Sequence, residues 1–338
     1  MILVAGEALV DLTPARCGDG TGYLPHPGGS PYNVAVGLGR LAVPVAFLGR
    51  LSTDPFGRLL RDHLVDSRVS LEYVVDADDP TTLAFVHLRD DEEPEYAFYT
   101  QGTAGRVLLP EHLPAIPAGA AMHFGSFSLA LEPGASTLEG LMRRESRRRL
   151  LSLDPNVRPG LVADPDAYLR RLEGLVRLAD LVKVSRADLA WLYPGEDPEA
   201  AATRWLGSGP ALVLVTLGKD GAAAFGAAVR AQAATPPVTV VDTVGAGDAF
   251  TSAALAWLHR RHALDRRGLE TLDASALTAL LAFANGIAAD TCTRAGATSG
   301  WAACSAPGCA SARPGRGWET SPWRAPPPSR SSAGRCPS

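Results

Sequence analysis

The sequence lacks the patterns that mark common metal, redox and phosphate-loop proteins. Its 338 residues hold five cysteines without a C-x-x-C pair, and its seven histidines show no H-x-x-x-H spacing. These absences argue against a zinc site and against a disulfide framework. The phosphate-binding pattern G-x-x-x-x-G-K-[ST] is missing too. We therefore expect no catalytic metal held by histidine and no P-loop.

Long apolar runs and a strong charge of one sign are also missing. The formal net charge of −4 gives no electrostatic reason to expect a nucleic acid or an anionic membrane as partner. No apolar stretch approaches the ~20 residues that a membrane span needs. Residues 1–7 contain no basic segment and predict a first strand instead of a signal peptide. We expect a cytoplasmic enzyme with neither a nucleic-acid nor a membrane partner.

Most of the chain alternates short apolar strands with helices. Strands are predicted at 2–5, 45–48, 122–124, 150–153, 181–184, 211–215 and 238–241. Helices are predicted at 33–41, 56–67, 137–149, 166–179, 198–206 and from 247 onward. This alternation predicts an α/β fold with a mostly parallel sheet and helices on both faces. In such sheets ligands bind beyond the carboxyl ends of the strands.

Residues 71–101 interrupt the alternation, because they hold strand-like runs with no helix between them. The runs lie at 73–75, 82–88 and 96–99, and the acidic stretch 90–94 predicts a hairpin turn between the last two. We expect a small antiparallel β-sheet set apart from the main body, with lid strands at about 12–27 and 71–101.

The tail at 299–338 does not fit the rest of the chain. It contains no Val, Ile, Leu, Met, Phe, Tyr or Lys, yet it holds three of the six Trp and three of the five Cys. Its five Arg against the single Glu319 make it +4, which leaves −8 for the remainder. Such a segment lacks the aliphatic side chains that would offset ordering entropy. The predicted domain therefore covers 1–298, and the tail is interpreted either as disordered or as the product of a shifted reading frame.

The turn at 242–248, Asp-Thr-Val-Gly-Ala-Gly-Asp, has the composition of a phosphate-binding site. Glycines at the start of a helix allow a ligand to approach the backbone and its outward amides. The helix dipole adds positive potential there, which suits the charge on a transferring phosphoryl group. Asp248 is placed to take a proton from an attacking hydroxyl. It is equally typical of an ordinary carboxylate at a helix N-terminus, so the residues alone leave both interpretations open.

Two segments resemble the signatures of the ribokinase/PfkB family of carbohydrate kinases. The stretch Asp-Thr-Val-Gly-Ala-Gly-Asp-Ala-Phe at 242–250 is similar to its C-terminal signature. Residues 28–41, continued at 48–57, are similar to its N-terminal signature. The resemblance covers about 1–298 and implies a ribokinase-like fold. The motif Asp-Pro-Asn-Val-Arg-Pro at 154–159 and the pair Phe98-Tyr99 place the chain nearest to fructokinases and 2-keto-3-deoxygluconate kinases.

The resemblance implies roles for particular residues. Asp248 would be the catalytic base, and Gly245, Ala246 and Gly247 would supply the amides that stabilise the transferred phosphoryl group. The implied sugar-binding residues are Asp11, Gly28, Gly29, Asn33, Phe98 and Arg158. From the residues alone, Asp11 is equally typical of a solvated loop and Asn33 of a helix N-cap.

The same resemblance implies ATP and Mg²⁺ as cofactors. The implied nucleotide-binding residues are Lys183, Ser185, Thr216, Gly218, Gly221 and Asn285. The family's Asn-x-x-Glu magnesium motif appears as Ser-Arg-Ala-Asp at 185–188, so Asp188 is one methylene shorter than the usual Glu. Asp242 is implied as a ligand of a monovalent cation, K⁺. Gly105 stands where this branch usually has Asp, and Ser252 where it has Gly or Ala.

The implied activity is ATP-dependent phosphorylation of a sugar hydroxyl. Fructose is the first candidate and 2-keto-3-deoxygluconate the second. A non-catalytic sugar- or nucleotide-binding relative and a nucleoside kinase remain alternatives, because one fold hosts several functions. The resemblance also implies a homodimer formed through the lid.

Overall fold

A computed structural model describes the chain at residues 1–17, 20–87 and 95–294. The strands are β1 (Ile2–Ala5), β2 (Leu9–Cys17), β3 (Gly20–Gly28), β4 (Val45–Ser52), β5 (Val74–Ala77), β6 (Leu83–His87), β7 (Glu95–Tyr99), β8 (Ala121–Gly125), β9 (Leu151–Asp154), β10 (Leu181–Ser185), β11 (Leu212–Thr216), β12 (Ala222–Gly226) and β13 (Arg230–Ala233). The helices are α1 (Ser30–Arg40), α2 (Pro55–Asp66), α3 (Gly134–Glu145), α4 (Pro165–Val176), α5 (Arg186–Leu192), α6 (Pro198–Leu206), α7 (Ala246–Arg260), α8 (Arg266–Glu270) and α9 (Ala274–Thr291). The hairpin turn predicted at 90–94, the domain boundary predicted at 298 and the tail lie outside these residues.

Nine strands form the main sheet in the order β13-β12-β11-β10-β9-β8-β1-β4-β5. The seven strands from β11 to β5 pair in parallel, whereas β12 and β13 add an antiparallel edge. This confirms the predicted mostly parallel sheet. The carboxyl ends of the parallel strands therefore meet along one edge, where a ligand site is expected.

Helices cover both faces of this sheet, as the alternating pattern predicted. Successive residues of β1 point to opposite faces, so Ile2 and Val4 join one apolar cluster while Leu3 and Ala5 join the other. Helices α1, α2, α7 and α9 pack on the first face, and α3 to α6 pack on the second. Because β1 is buried on both sides, it appears in the sequence as a continuous apolar run.

Several helices begin at an aspartate followed by proline. Asp54, Asp164 and Asp197 each accept a hydrogen bond from the backbone three residues further on. The proline that follows each of them has no N–H to satisfy and a φ suited to the first helical turn. The starts predicted at 56, 166 and 198 lie within one residue of the observed starts at 55, 165 and 198.

A separate four-stranded sheet has the order β3-β2-β6-β7. It confirms the predicted small sheet, although one of its pairings, β2 with β6, is parallel. The run at 73–75 was predicted to belong to it, and this prediction is wrong. Helix α2 returns the chain across the main sheet, so β5 pairs in parallel with β4 at the edge of that sheet.

The predicted strand at 238–241 is wrong as well. Residues 234–240 form no regular structure, and Val240 and Val241 are 58% and 62% exposed. The preceding Pro236 and Pro237 have no N–H to donate to a neighbouring strand. The segment is tied down at its end, where the Val241 amide donates to the Cys292 carbonyl oxygen over 2.8 Å.

Helix α9 was not recognised in the sequence as a long apolar segment. By length and composition it is sufficient to cross a membrane, although a buried core helix passes the same test. Its residues Leu277, Leu280, Leu281 and Ala284 are completely buried in the first apolar cluster. We interpret α9 as a core helix that packs beside α7.

Candidate active site

A cleft of about 460 Å³ lies between the small sheet and the start of α7. It brings together eight of the residues singled out in the sequence: Asp11, Gly29, Asn33, Phe98, Arg158, Gly245, Gly247 and Asp248. These come from five separate segments of the chain. The cleft also contains residues that the sequence analysis gave no role, among them Glu7, Ser30, Tyr96 and Asn156.

The side chain of Asp248 accepts three hydrogen bonds within the cleft. Its Oδ1 accepts from Ser30 Oγ at 2.6 Å and from Asn156 Nδ2 at 3.3 Å. Its Oδ2 accepts from Asn33 Nδ2 at 2.8 Å. With only 5% of the residue exposed, the carboxylate is fixed in position and shielded from bulk water.

The start of α1 positions two of these donors. Gly29 precedes the helix with a φ of 103°, and a Cβ there would lie 2.9 Å from the Glu7 carbonyl oxygen. Glycine is therefore required at this position. Ser30 and Asn33 follow three residues apart, so their side chains share the helix face that meets α7. Asn33 is thus a hydrogen-bond donor to Asp248 and not the N-cap of α1, since the N-cap is Gly29.

Burial is the main influence on the acidity of Asp248. It raises the pKa to about 6, against the opposing effect of the hydrogen bonds from Ser30 and Asn33. A carboxylate with a pKa near 6 is ionised at neutral pH, yet it is more basic than an exposed aspartate. These properties suit a group that accepts a proton from a hydroxyl.

The amides of the glycine-rich turn, which are predicted to bind an anion, differ in their backbone hydrogen bonds. Gly245 adopts a left-handed φ of 78° and caps α7. The Ala246 amide is used inside the turn, where it donates to the Thr243 carbonyl oxygen over 3.2 Å. Within the described part of the chain, the amides of Gly245 and Gly247 have no such backbone partner. The expectation is corrected for Ala246, which also does not line the cleft.

A buried ion pair lies beneath this turn. Lys183 Nζ donates to Asp154 Oδ2 over 2.9 Å, and Thr251 of α7 donates to the same oxygen over 3.1 Å. A Cβ on Gly247 would lie 3.1 Å from Lys183 Nζ, so the ammonium group sits against the first turn of α7. Burial tends to lower the pKa of Lys183, but Asp154 outweighs it, so the pKa is raised and the charge is kept. The positive charge reinforces the helix dipole at the turn.

On the lid side of the cleft, Asp11 lies close to Arg158. Burial raises the pKa of Asp11 to about 7, Arg158 lowers it, and Asp248 adds a smaller upward contribution. A Cβ on Gly28 would collide with Asp11 Oδ2, so this glycine leaves room for the carboxylate without lining the cleft itself. Arg158 Nη1 is held by Asn156 Oδ1 at 2.6 Å. Asn156 therefore connects Arg158 with Asp248.

The predicted nucleotide-binding residues lie elsewhere along the strand ends. Ser185 and Thr216 pair at the carboxyl ends of β10 and β11. Gly218 and Gly221 have φ values of 65° and 100°, which glycine tolerates and which shape the turn after β11. Asn285 is buried and donates from Nδ2 to the Ala233 carbonyl oxygen over 2.9 Å. Lys183 lies beneath the glycine turn, and the nucleotide roles of all six residues stay predictions.

The predicted metal ligands are both engaged in local structure. Asp188 Oδ1 accepts from the Val157 amide at 2.9 Å, and its Oδ2 accepts from the amide and hydroxyl of Ser185. Asp242 Oδ1 accepts from the Val244 amide at 2.9 Å. Among residues 1–17, 20–87 and 95–294, no group of three or more His, Cys, Asp and Glu residues is arranged to hold a metal ion.

Several residues of the site were missed in the sequence. Ser30, Asn156 and Asp154 all lay within segments recognised as motifs, but no role was given to them. Their function depends on the contact with Asp248 or Lys183, and neither contact leaves a periodic or spacing signal. Thr251 follows Asp248 by nearly one helical turn, so the sequence could have placed its side chain on the same face of α7 as Asp248. No other signal in the sequence indicated these contacts.

Comparison with known proteins is consistent with this geometry. A curated fructokinase of Rhizobium leguminosarum bv. trifolii is 39% identical over 279 residues, which are 82% of this chain and 85% of that protein. The crystal structure of a Xylella fastidiosa fructokinase with bound ATP superimposes with a TM-score of 0.80 at 30% identity, over 88% of this chain and 94% of that one. A Vibrio cholerae fructokinase with fructose, ADP and calcium ion bound gives 0.78 at 29% identity, over 90% and 96%.

The family model of pfkB carbohydrate kinases matches residues 1–304. That match includes the cleft, the glycine turn and both signature segments. The chain belongs to the PfkB family of carbohydrate kinases, and it is a phosphotransferase that acts on a sugar.

Proposed function

We propose that this enzyme transfers the γ-phosphate of ATP to a hydroxyl of fructose, with Asp248 as the base. The observation that carries the proposal is the Asp248 carboxylate, which Ser30 and Asn33 hold at the mouth of a helix N-terminus. Support for fructose comes from the three named relatives, which are all fructokinases and of which one was crystallised with fructose and ADP.

The sugar side of the cleft is rich in groups that bond hydroxyls. Asp11 accepts hydrogen bonds, Asn33 both donates and accepts, and Arg158 donates. Phe98 and Tyr96 stack with ring centroids 5.9 Å apart and offer an apolar surface. We assign sugar binding to Asp11, Asn33, Phe98 and Arg158, with Gly28 and Gly29 shaping the backbone beside them.

In the proposed reaction the hydroxyl proton of the sugar passes to Asp248. The hydroxyl oxygen attacks the γ-phosphorus as the bond from that phosphorus to the ADP oxygen breaks. The amides of Gly245 and Gly247 and the dipole of α7 stabilise the charge on the transferred group. We assign nucleotide binding to Lys183, Ser185, Thr216, Gly218, Gly221 and Asn285. Closure of the small sheet over the cleft would exclude water.

Mg²⁺ is proposed to enter with the nucleotide. When bound, it neutralises charge on the phosphate oxygens, and Mg²⁺ commonly keeps several waters and few protein ligands. Because the Asp188 oxygens are hydrogen-bonded to the protein, we assign Asp188 an indirect role through water. Asp242 is retained as a candidate ligand of K⁺, next to the turn that its carboxylate organises.

We propose that the protein forms a homodimer through the small four-stranded sheet, the predicted lid, because aromatic side chains are exposed on the surface of that sheet. Tyr23, Phe85 and Tyr99 form a row across that sheet, with ring centroids 5.1 Å and 5.4 Å apart. Tyr23 and Tyr99 are 45% and 61% exposed, and exposed aromatic rows favour protein contacts. The net charge of −4 gives no electrostatic reason to expect a nucleic-acid or anionic-membrane partner, and we retain the proposal of a cytoplasmic enzyme.

A coupled ADP-release assay across four acceptors tests the function. With fructose, 2-keto-3-deoxygluconate, ribose and adenosine, we expect the highest kcat/KM for fructose. Preference for ketodeoxygluconate would move the assignment to the second candidate, and preference for adenosine would make the enzyme a nucleoside kinase. If none of the four acceptors is phosphorylated, the result would favour the alternative that the chain is a non-catalytic sugar- or nucleotide-binding relative.

A further inference from the structure

Glu7 is a cleft residue that the proposed reaction does not yet use. It lies between β1 and β2 and lines the same cavity as Asp11 and Asp248. None of its surface is exposed to bulk solvent. An acidic side chain in this position needs partners, because a buried carboxyl group that is not hydrogen-bonded is unfavourable.

Only one of the two oxygens of this carboxyl group has a hydrogen-bond partner of good geometry, although the hydroxyls of Ser126 and Ser128 lie near enough to lower its pKa. Oε2 accepts a hydrogen bond from the Ser128 amide over 3.2 Å. For Oε1 no hydrogen-bond partner exists in the described part of the chain. Buried polar atoms in folded proteins are nearly always hydrogen-bonded, so an unpaired oxygen beside a cavity indicates that its partner comes from the cavity.

The chemistry of the site indicates what that partner is. Burial raises the pKa of Glu7 to about 7, so the group exists both as acid and as carboxylate near neutral pH. The carboxylate would repel a phosphate, and Asp11 and Asp248 line the same cavity. A sugar hydroxyl suits both forms, because it donates to a carboxylate and accepts from a carboxylic acid.

A second observation places a polar surface beside Glu7. Ser126, which also lines the cleft, adopts a left-handed φ of 60° although it is not glycine. Such backbone conformations are unfavourable for side chains other than glycine and cluster at ligand-binding positions. Ser126 begins the short helical turn Ser126–Leu129, which contains the Ser128 amide bonded to Glu7.

We propose that Glu7 is a further sugar-binding residue whose Oε1 hydrogen-bonds one hydroxyl of the substrate. The inference rests on the proposed sugar kinase function and adds a specificity determinant to it. A site that hydrogen-bonds a particular hydroxyl discriminates strongly against a substrate that lacks it, because the buried group is then left unpaired. Glu7 therefore selects among sugars that differ at that hydroxyl.

The test combines two substitutions with fructose analogues that each lack one hydroxyl. Binding and turnover of fructose and of each analogue are measured for the wild-type chain, Glu7→Gln and Glu7→Leu. We expect Glu7→Leu to raise the KM for fructose about tenfold or more, with kcat and the KM for ATP changed much less. Glu7→Gln keeps a donor and an acceptor, so it should remain within a few-fold of wild type.

The analogue series separates contact with the sugar from a structural role. For one analogue, the penalty seen with wild type should disappear in Glu7→Leu, because the two changes remove the same hydrogen bond. Glu199→Gln, on the exposed surface of α6, serves as the matched control and should leave every value unchanged.

If Glu7→Leu discriminates among the analogues as wild type does, the role of Glu7 is overturned while the sugar kinase function stands. A wild-type chain that neither binds nor phosphorylates any sugar of the series would overturn both.

Discussion

The hydroxyl of Ser30 donates a hydrogen bond to Asp248 Oδ1 over 2.6 Å, although 218 residues separate the two in the sequence. This contact joins the start of α1 to the start of α7, and so it joins the two signature segments. Asn33, one helical turn after Ser30, binds the other oxygen. The N-terminal signature therefore holds in place the Asp248 carboxylate of the C-terminal signature, which we propose as the base.

The pKa of Asp248 predicts how activity depends on pH. Since burial raises it to about 6 and only the carboxylate can accept a proton, kcat/KM should fall as the pH is lowered through 6 and level off above it. Asp11 and Glu7, each with a pKa of about 7, titrate in a neighbouring range. The profile should therefore also be measured in Asp11→Asn and Glu7→Gln, where a loss of activity with a midpoint near pH 6 must persist. A flat profile from pH 5 to 8 in wild type and in both variants would contradict the assignment.

Removal of the Ser30 hydroxyl should shift the fall of kcat/KM to higher pH. The hydrogen bond stabilises the charged form of Asp248, so its loss in Ser30→Ala raises the pKa, by about one unit for a charge-assisted bond. At pH 6 the variant should lose most of its activity, and at pH 8 much of it should return. Ser146→Ala, which removes a hydroxyl bonded to the Leu178 carbonyl oxygen, is the control and should leave the profile in place. Identical profiles for Ser30→Ala and wild type would remove Ser30 from the mechanism.

A methyl group at Gly247 should impair phosphate binding without unfolding the protein. Its Cβ would lie 3.1 Å from Lys183 Nζ, the far end of a long side chain that can shift by a few tenths of an ångström. The added methyl group would also obstruct the neighbouring amides of the turn. We expect Gly247→Ala to lower kcat/KM for ATP about tenfold or more, as loss of an oxyanion contact does. The melting temperature should change little.

Gly140→Ala in α3 is the matched control for that substitution. No atom lies within 4 Å of its added Cβ, so alanine should stabilise the helix by about 0.5–1 kcal/mol and leave the kinetics unchanged. Wild-type kinetics in Gly247→Ala would contradict the placement of the phosphoryl group at this turn.

Much of the fold was predictable from the sequence, because buried strands and capped helices leave local signals. The run Ile2–Ala5 and the aspartates at 54, 164 and 197 are examples. Failures occurred where tertiary context decides. The valines at 238–241 have strand composition but no neighbouring strand, and the run at 73–75 was assigned to the wrong sheet because its partner is set by the return of α2.

The sequence predicted the site residues that belong to recognised motifs, but it did not predict which side chains contact one another. Asp248, Asn33 and Asp11 were identified by resemblance, and all three line one cleft. The roles of Ser30, Asn156 and Glu7 depend on distances between segments far apart in the chain, which no linear pattern encodes. The engagement of Ala246 inside the turn likewise depends on the φ of Gly245.

The most direct test of the central claim is the turnover of Asp248→Asn with fructose and ATP. Asparagine keeps the shape of the side chain but cannot accept the hydroxyl proton as a carboxylate does. We predict that kcat falls by a factor on the order of a thousand or more, while ATP binding measured by calorimetry stays within a few-fold of wild type. A kcat within tenfold of wild type would contradict the account, because the proton would then have another acceptor.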